Sequence, residues 1–165
     1  MDINNPFETF QKYAFRLEAL PRYLVENEKE AFAAFKESGV LPDSFGLDWS
    51  ELVSNNVRVG KKMQRLRLLS EHLTDYERFE LQIYSGPSQG EQIHTGMRND
   101  YQDQYMYDFW FFDDKWIAQV NYEDDGTFIN FDIRLATPQE LQMYTYWYAV
   151  YKVAKPLKHV SSYLK

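Results

Sequence analysis

The sequence contains no cysteine, and histidine occurs only three times among its 165 residues. Without thiols the chain forms no disulfide, builds no thiolate zinc site and has no cysteine nucleophile. The histidines, His72, His94 and His159, are too dispersed along the chain to indicate a metal cluster. The sequence therefore predicts no metal and no cofactor.

Long apolar runs are also missing. No segment approaches the roughly 18 consecutive apolar residues that would span a bilayer. Residues 1–5 have neither the basic region nor the apolar run of a signal peptide. We therefore expect a cytoplasmic protein without membrane contact.

Signatures of a nucleophilic serine and of a phosphate loop are absent as well. No serine lies in a Gly-x-Ser-x-Gly setting. The stretch Ser85–Gly90 has two glycines, yet it lacks the Lys and Ser/Thr of a phosphate loop, and Pro87 removes an amide donor. We interpret this stretch as an ordinary turn.

Aromatic residues are abundant, with 13 Tyr, 12 Phe and 4 Trp. The length and a hydrophobic content of 44% predict one globular domain over residues 1–165. The net charge of −7 argues against nucleic acid as a broad surface contact, because such surfaces are usually basic. Residues 155–165 form a basic C-terminal tail, which is either a solvated helix end or a contact for an acidic partner or a phosphate backbone.

Hydrophobic periodicity predicts helices in the N-terminal, middle and C-terminal parts of the chain. Apolar residues recur at helical spacing over residues 5–21 and again over residues 26–38. Residues 40–56 are predicted to be mostly loop. Capping boxes at Thr74 and Thr137 begin the middle and the C-terminal helix, which end near residues 84 and 154.

Strands are predicted between these helices. Period-two alternation indicates strands at residues 62–70 and 91–97. Three further strands separated by acidic turns follow at residues 105–112, 116–122 and 127–135. The predicted fold is α+β, with a mostly antiparallel sheet made of this three-stranded meander and one or two earlier strands, packed by helices.

One carboxylate, Asp108, lies inside the otherwise apolar run of residues 105–112. A buried carboxylate must be paired, hydrogen-bonded or neutralised. Arginine side chains on neighbouring elements offer bidentate partners. The candidate polar pocket comprises Arg65, Arg67, Tyr76, Arg78, Glu80, Glu91, Asp108 and Asp113.

Two interpretations of these residues stand. In the first, paired arginines hold a phosphate or carboxylate ligand, and Glu80 or Asp108 acts as an acid or base. In the second, the ion pairs lock a helix against the sheet and nothing binds. The acidic turn residues Asp113, Asp114, Asp124 and Asp125 do not match the pattern of a calcium loop, and we expect no metal there.

The C-terminal helix carries tyrosines on several faces. Such a helix is either enclosed by the core or partly exposed as a docking surface. Tyrosine and tryptophan are frequent in interface hot spots. The candidate interface residues are Tyr144, Trp147, Tyr148 and Tyr151.

Several blocks of sequence resemble a bacterial domain of unknown function that is common in high-GC Gram-positive genomes. They include residues 14–18, 65–70, 73–81, 90–93, 108–114 and 121–126. The resemblance covers about Ala14 to Gly126. Members of that family often lie beside helix-turn-helix regulators and small acidic partner proteins, so the resemblance implies regulation or a toxin–antitoxin-like operon, and no established activity.

Two functional hypotheses follow, besides a structural role as an obligate homodimer formed through the C-terminal helix. The first is a regulatory or protein-interaction module that binds a protein partner or itself. The alternative is a small metal-independent enzyme or toxin-like effector that acts on a phosphate-bearing substrate, such as RNA or a nucleotide, through the Arg/Glu/Asp pocket.

Overall fold

Helices cover both faces of a seven-stranded sheet in the computed structural model, which describes residues 1–43, 45–85, 90–102 and 107–157. The α-helices in these ranges are α1 (Pro6–Thr9), α2 (Lys29–Ser38), α3 (Leu47–Arg58), α4 (Asp75–Ser85) and α5 (Pro138–Val153). The strands are β1 (Tyr13–Glu18), β2 (Lys62–Leu69), β3 (Gln92–Met97), β4 (Phe109–Phe112), β5 (Trp116–Tyr122), β6 (Phe128–Leu135) and β7 (Lys155–Pro156).

The strand order is β6-β5-β4-β1-β2-β3-β7. β1, β2 and β3 run parallel, whereas β4 to β6 and the short β7 pair antiparallel with their neighbours. The α+β class and the C-terminal meander are confirmed. The strand arrangement differs from the prediction, because the sheet is mixed and has parallel pairs at its centre. Parallel neighbours require long crossovers, and the helical segments between β1, β2 and β3 supply them.

The N-terminal helix predicted over residues 5–21 is wrong. Helix α1 ends at Thr9, and Tyr13–Glu18 is a central strand of the sheet. Residues 13, 15 and 17 face one side of the sheet and residues 14, 16 and 18 face the other. Because β1 is buried on both sides, it has apolar residues on both of its faces. Some of these residues also recur at helical spacing, which led to the wrong prediction.

Residues 40–56 also differ from the prediction, because helix α3 occupies the second part of that stretch. The helix begins after Gly46, whose φ of 78° lies in the left-handed region. Its inner side carries Val53 and Asn56, and the Asn56 amide donates to the carbonyl oxygen of Phe7 at 2.9 Å. The prediction failed because the apolar stripe of α3 is short and interrupted by polar residues.

The other elements lie close to their predicted positions. Helix α4 begins at a reciprocal cap in which Thr74 and Glu77 exchange hydrogen bonds, and α5 begins at the capping box of Thr137 and Glu140. Strand β4 begins at Phe109, so Asp108 directly precedes it; residues 105 and 106 lie outside the described residues. The part of the C-terminal tail from residue 158 onward also lies outside the described residues.

The two faces of the sheet have different partners. Apolar side chains of β1, β2 and β4 pack against α5 on one face, where Trp147 is 1% exposed. On the opposite face α1 and α3 cover an apolar half, while α2 and α4 form a further aromatic cluster around Phe79. We call this second face the polar face, because it also carries Arg16, Glu18, Arg65 and Arg67.

Strand β6 is more exposed than its alternation predicts. Ile129 and Phe131, which alternate with Asn130 and Asp132 along the strand, are 48% and 46% exposed. β6 is the last strand at its edge of the sheet in the described structure. The alternation of apolar and polar residues therefore indicated a strand, but it did not show whether another element packs on its apolar side. None of the helices in the described ranges is long and apolar enough to cross a membrane.

The turn after β4 supports a prediction. Asp113 and Asp114 both have φ of 54°, but the Asp113 carboxylate accepts backbone hydrogen bonds from Gln11, Lys12 and Tyr13. We expect Asp113→Ala to lower the free energy of unfolding by about 1–3 kcal/mol, because these amide groups lose their acceptor. Urea denaturation measures the change.

Asp114→Ala is the matched control, since it changes the same residue type at the same φ. Among the described residues no hydrogen bond to the Asp114 side chain is present. Equal losses for the two variants would contradict a specific role for the Asp113 carboxylate.

Candidate functional site

The polar face collects charge because two parallel strands align their charged residues. In the β1–β2 register Arg16 lies beside Arg65 and Glu18 lies beside Arg67. These four positions share one face by the period-two geometry of strands. All four side chains are buried, and Arg67 is 0% exposed. Such groups must be paired, since an unpaired buried charge is very costly.

Arg67 joins the sheet to helix α4. Its Nε donates to Oε2 of Glu80 at 2.9 Å, and its Nη2 donates to the same oxygen. Its Nη1 donates to the carbonyl oxygens of Leu20 at 2.7 Å and Leu68 at 3.1 Å. This arrangement matches the structural interpretation for Arg67, because the guanidinium is fully enclosed by protein acceptors.

Asp108 is paired with Arg16, a residue that the sequence analysis had placed in a helix. The carboxylate accepts from Arg16 Nη2 at 2.8 Å, from the Ala19 amide at 3.0 Å and from the Tyr23 hydroxyl at 2.6 Å. Burial raises the pKa of Asp108, and Arg16 opposes that rise. The Asp108 carboxylate therefore has its hydrogen-bond donors within the protein itself.

Glu18 lies at the centre of the network. It accepts from Arg65 Nη1, from Arg16 Nε at 3.4 Å and from the Tyr84 hydroxyl at 2.7 Å. Burial alone would raise its pKa, but the guanidinium groups of Arg65, Arg16 and Arg67 lower the pKa of Glu18 to about 2. Glu18 is an anion at any physiological pH.

The pKa of Glu80 is shifted in the opposite direction. Burial raises the pKa of Glu80 to about 8, although Arg67 opposes the rise. Both Arg67 donors reach Oε2, while Oε1 accepts from the Tyr84 hydroxyl at 3.5 Å. Tyr84 thus lies between two carboxyl groups whose pKa values are shifted in opposite directions.

Arg65 completes the network on its outer side. Its Nε donates to Glu91 at 2.8 Å, and the other oxygen of Glu91 accepts from the Trp49 indole at 3.0 Å. The guanidinium carbon of Arg65 lies 4.8 Å from the ring centre of Tyr84 and 5.5 Å from that of Trp110. Aromatic rings therefore flank the cation while carboxylates neutralise it.

The remaining predicted pocket residues occupy different places. The Tyr76 hydroxyl donates to Glu28 at 2.6 Å beside the network. Arg78 is partly exposed and pairs with Asp75 of its own helix at 3.4 Å. Asp113 binds the backbone before β1, away from the polar pocket. The structure thus brings together Arg65, Arg67, Glu80 and Glu91, places Asp108 and Tyr76 beside them, and separates Arg78 and Asp113.

A cavity of about 890 Å³ opens over the polar face between the sheet and helices α2, α3 and α4, and we call it the cleft. Its size suits a small organic ligand. Arg16 is 4% exposed and lines the cleft, and its Nη1 donates no hydrogen bond to any described residue. The charged and aromatic residues that line the cleft include Arg16, Glu18, Trp49, Arg65, Glu80 and Trp110.

The C-terminal helix supplies core in the described structure. Tyr144, Trp147 and Tyr151 are buried against the sheet, and Tyr148 is half-buried between its neighbours Tyr144 and Tyr151. Burial raises the pKa of Tyr151 to about 12. No group of three or more His, Asp or Glu side chains in the described ranges is arranged to hold a metal ion.

Sequence reasoning missed the residues that β1 contributes. Arg16 and Glu18 were assigned to a helix, so their pairing with Asp108 and Arg65 was not foreseen. Tyr84 and Trp49 were missed because one ends a helix and the other lay in a predicted loop. The alternation of charged and apolar residues in Phe15-Arg16-Leu17-Glu18 was the signal that pointed to a strand.

The contacts of Arg67 predict a large effect on stability. We expect Arg67→Met to lower the free energy of unfolding by roughly 3–5 kcal/mol, because Glu80 and two carbonyl oxygens lose their donor. Arg78→Met is the control and should stay within about 0.5 kcal/mol. The double variant Arg67→Met/Glu80→Leu should recover part of the loss in urea denaturation. A loss under about 1 kcal/mol for Arg67→Met would contradict the view that these contacts of Arg67 hold helix α4 on the sheet.

The raised pKa of Glu80 predicts a pH dependence. Because the native state keeps this proton until about pH 8, while an unfolded glutamate loses it near about 4.3, stability falls as pH rises through that window. The stabilisation that comes from the raised pKa of Glu80 is fully present below the pKa of a glutamate in the unfolded chain. Glu80→Gln should flatten the curve by up to about 1.4 kcal/mol per pH unit.

Urea denaturation between those pH values measures the slope, with the exposed Glu71→Gln as control. A slope that Glu80→Gln leaves unchanged would show that Glu80 is ionised throughout.

Comparison with known proteins gives one family. The family model described as a domain of unknown function, DUF6879, matches residues 1–161, so the match extends beyond the Ala14–Gly126 segment that carried the resemblance. No curated protein and no solved structure matches the chain. The chain therefore belongs to the DUF6879 family, an uncharacterised domain.

Proposed function

We propose that this domain is a regulatory ligand-binding module whose cleft receives a small organic group, either free or carried by a partner. The observation that carries the proposal is the position of Arg16. This guanidinium is buried, lines a cavity of about 890 Å³ and keeps one nitrogen without an acceptor in the described structure. A buried donor without an acceptor costs about 1–3 kcal/mol, and a ligand acceptor reaches this nitrogen only when the side chains that cover it move.

The rest of the cleft supports binding. Aromatic side chains and a few convergent polar groups are typical of ligand pockets, and Trp49, Trp110 and Tyr84 combine here with Glu18 and Arg65. The network that fixes these side chains also fixes their geometry, because Arg65 is held by Glu18 and Glu91 at once. The cleft is therefore preorganised.

Acid–base catalysis is a second candidate. It is favoured by the difference between Glu18, with a pKa near 2, and Glu80, with a pKa near 8, both in the lining of the cleft. A pair of carboxyl groups with separated pKa values is a recurrent acid–base arrangement. A phosphate-bearing substrate is less suited than a neutral or cationic one, because acidic residues outnumber arginines in the described lining.

A matched pair of variants tests binding at the cleft. Ala34 and Ala33 are adjacent exposed residues of α2, but only Ala34 lines the cleft in the described structure. A chemically diverse library is screened by thermal shift and by tryptophan fluorescence. We expect compounds that stabilise the wild type and Ala33→Trp, and that lose this effect in Ala34→Trp because the new ring fills the opening.

Hits that bind Ala34→Trp and wild type equally would contradict the proposal, as would a library without any hit. Mass spectrometry of a hit after incubation separates the two candidates. A ligand recovered unchanged supports the binding module. A ligand that is converted by the wild type, and bound but not converted by Glu80→Gln, supports the enzyme.

A further inference from the structure

The outer edge of strand β6 has no partner strand over most of its length in the described structure. Only its start is paired there, because the Phe128 amide donates to the Leu24 carbonyl oxygen at 3.3 Å. An open edge presents unpaired N–H and C=O groups to any strand that can align with them. The strand contains neither proline nor lysine, two residue types by which proteins prevent such pairing.

The hydrogen-bond alternation of an antiparallel pair decides which residues of β6 face this open edge. The Ala136 amide donates inward, to the Lys115 carbonyl oxygen at 2.9 Å. Because residues opposite each other in such a pair alternate between bonded and non-bonded, Arg134 and Asp132 also form their backbone bonds with β5. The backbone groups that point outward therefore belong to Phe131, Ile133 and Leu135.

The side chains of the same segment are divided by chemistry. Phe131, Ile133 and Leu135 lie on one face of the strand, and Asp132 and Arg134 lie on the other. The Asp132 and Arg134 side chains are 54% and 36% exposed and form an ion pair with each other at 2.7 Å. The edge of β6 thus carries an apolar row on one face and one charge of each sign on the opposite face.

Charge decides between the registers in which a second copy of β6 can pair antiparallel with the first. A two-fold dimer places one residue opposite itself. With Asp132 or Arg134 at that place, like charges lie directly opposite, which is destabilising. With Ile133 there, Asp132 lies opposite Arg134 of the second copy on both sides of the axis. Centres at Phe131 or Leu135 are unsuited, because the pairing then runs into the irregular start of the strand or past its end.

The backbone agrees with the register that the charges favour. With Ile133 opposite Ile133 of the second copy, Phe131 lies opposite Leu135 of that copy. All of these residues have outward backbone groups, so each pair can exchange both of its N–H···O bonds. Their side chains meet on one face as apolar cross-strand pairs. One register therefore satisfies the backbone, the apolar face and the charged face together.

We propose that the β6 edge is a self-association surface, where two copies of this domain pair antiparallel about Ile133 and join their sheets. The occupant of the edge is a second copy, because the order apolar–Asp–apolar–Arg–apolar over residues 131–135 is complementary to itself when reversed. This dimer differs from one formed through the C-terminal helix, whose Tyr144, Trp147 and Tyr151 are buried in the core.

Charge reversal tests the register. Sedimentation equilibrium over a dilution series should show the wild-type mass rising from 19.8 kDa toward twice that value. Asp132→Arg and Arg134→Asp each place like charges opposite twice, so we expect roughly hundredfold weaker association for either variant alone. An equimolar mixture of the two variants should form a heterodimer, because one partner then carries two cations and the other two anions. The double variant Asp132→Arg/Arg134→Asp should dimerise like the wild type.

Asp124→Arg is the matched control. It makes the same change of net charge as Asp132→Arg, at an exposed position in the turn before β6, and it should leave dimerisation unchanged. Circular dichroism checks that each variant is folded, since Arg134 also pairs with Glu140 within the chain. Recovery of the dimer in the mixture excludes unfolding as the cause of the loss.

Amide hydrogen exchange followed by NMR locates the interface in the wild type without any substitution. We expect the amides of Phe131, Ile133 and Leu135 to be protected at high concentration and to lose that protection on dilution. The amides of Asp132 and Arg134 should stay protected throughout, because they bond to β5 within one chain.

A mass that stays at 19.8 kDa up to millimolar concentration overturns the proposal. A dimer that forms while the outward amides of β6 exchange freely also overturns it and assigns association to another surface. Outward amides that are protected at every dilution show that the edge is covered within one chain, which excludes a second copy there. A mixture of the two folded charge variants that stays monomeric overturns the register centred on Ile133.

Discussion

The burial of three guanidinium groups on the central parallel strands is the constraint on which the rest of the structure depends. A guanidinium removed from water requires acceptors from every direction, since its charge cannot be removed by deprotonation. Three segments supply such acceptors: α4 supplies Glu80, the segment before β4 supplies Asp108 and the segment before β3 supplies Glu91. Helix α4 is thus positioned by polar contacts as well as by apolar packing.

This arrangement explains the division between the two faces of the sheet. The α5 face is held by stacked aromatic rings, such as Phe111 and Tyr144 at 4.1 Å, and needs only shape complementarity. The polar face needs both shape and charge to match. Guanidinium groups are planar and take their acceptors in fixed directions, so the partners must be placed accurately. The cleft lies on this polar face.

The sequence predicted the elements whose signals are local. The caps at Thr74 and Thr137 identified two helices, β2 was found from its own alternation, and β5 was found from the acidic turns on either side of it. β1 was not found, because a central strand is buried on both sides and its pattern is decided by neighbours distant in sequence. Its parallel pairing with β2, 49 residues away at Glu18 and Arg67, has no local signal.

The candidate site was only partly predictable for the same reason. Asp108 was recognised as a carboxylate that needs a partner, and that requirement was correct, but its partner Arg16 depended on the position of β1. Arg65, Arg67 and Glu80 were found because they lie on elements with strong local patterns. The cleft itself was not foreseen, since a cavity depends on the spacing between elements and sequence patterns contain no information on spacing.

Arg16 and Arg67 differ in how completely the network satisfies their hydrogen-bond donors. A second buried donor, the Tyr13 hydroxyl, also has no partner in the described structure. Tyr13 packs beside Tyr144 on the α5 face and does not line the cleft, so its missing partner indicates no ligand. Arg16 differs because three conditions coincide: a permanent charge, an unused nitrogen and an adjoining cavity. Arg67 lacks the last two and is enclosed by acceptors.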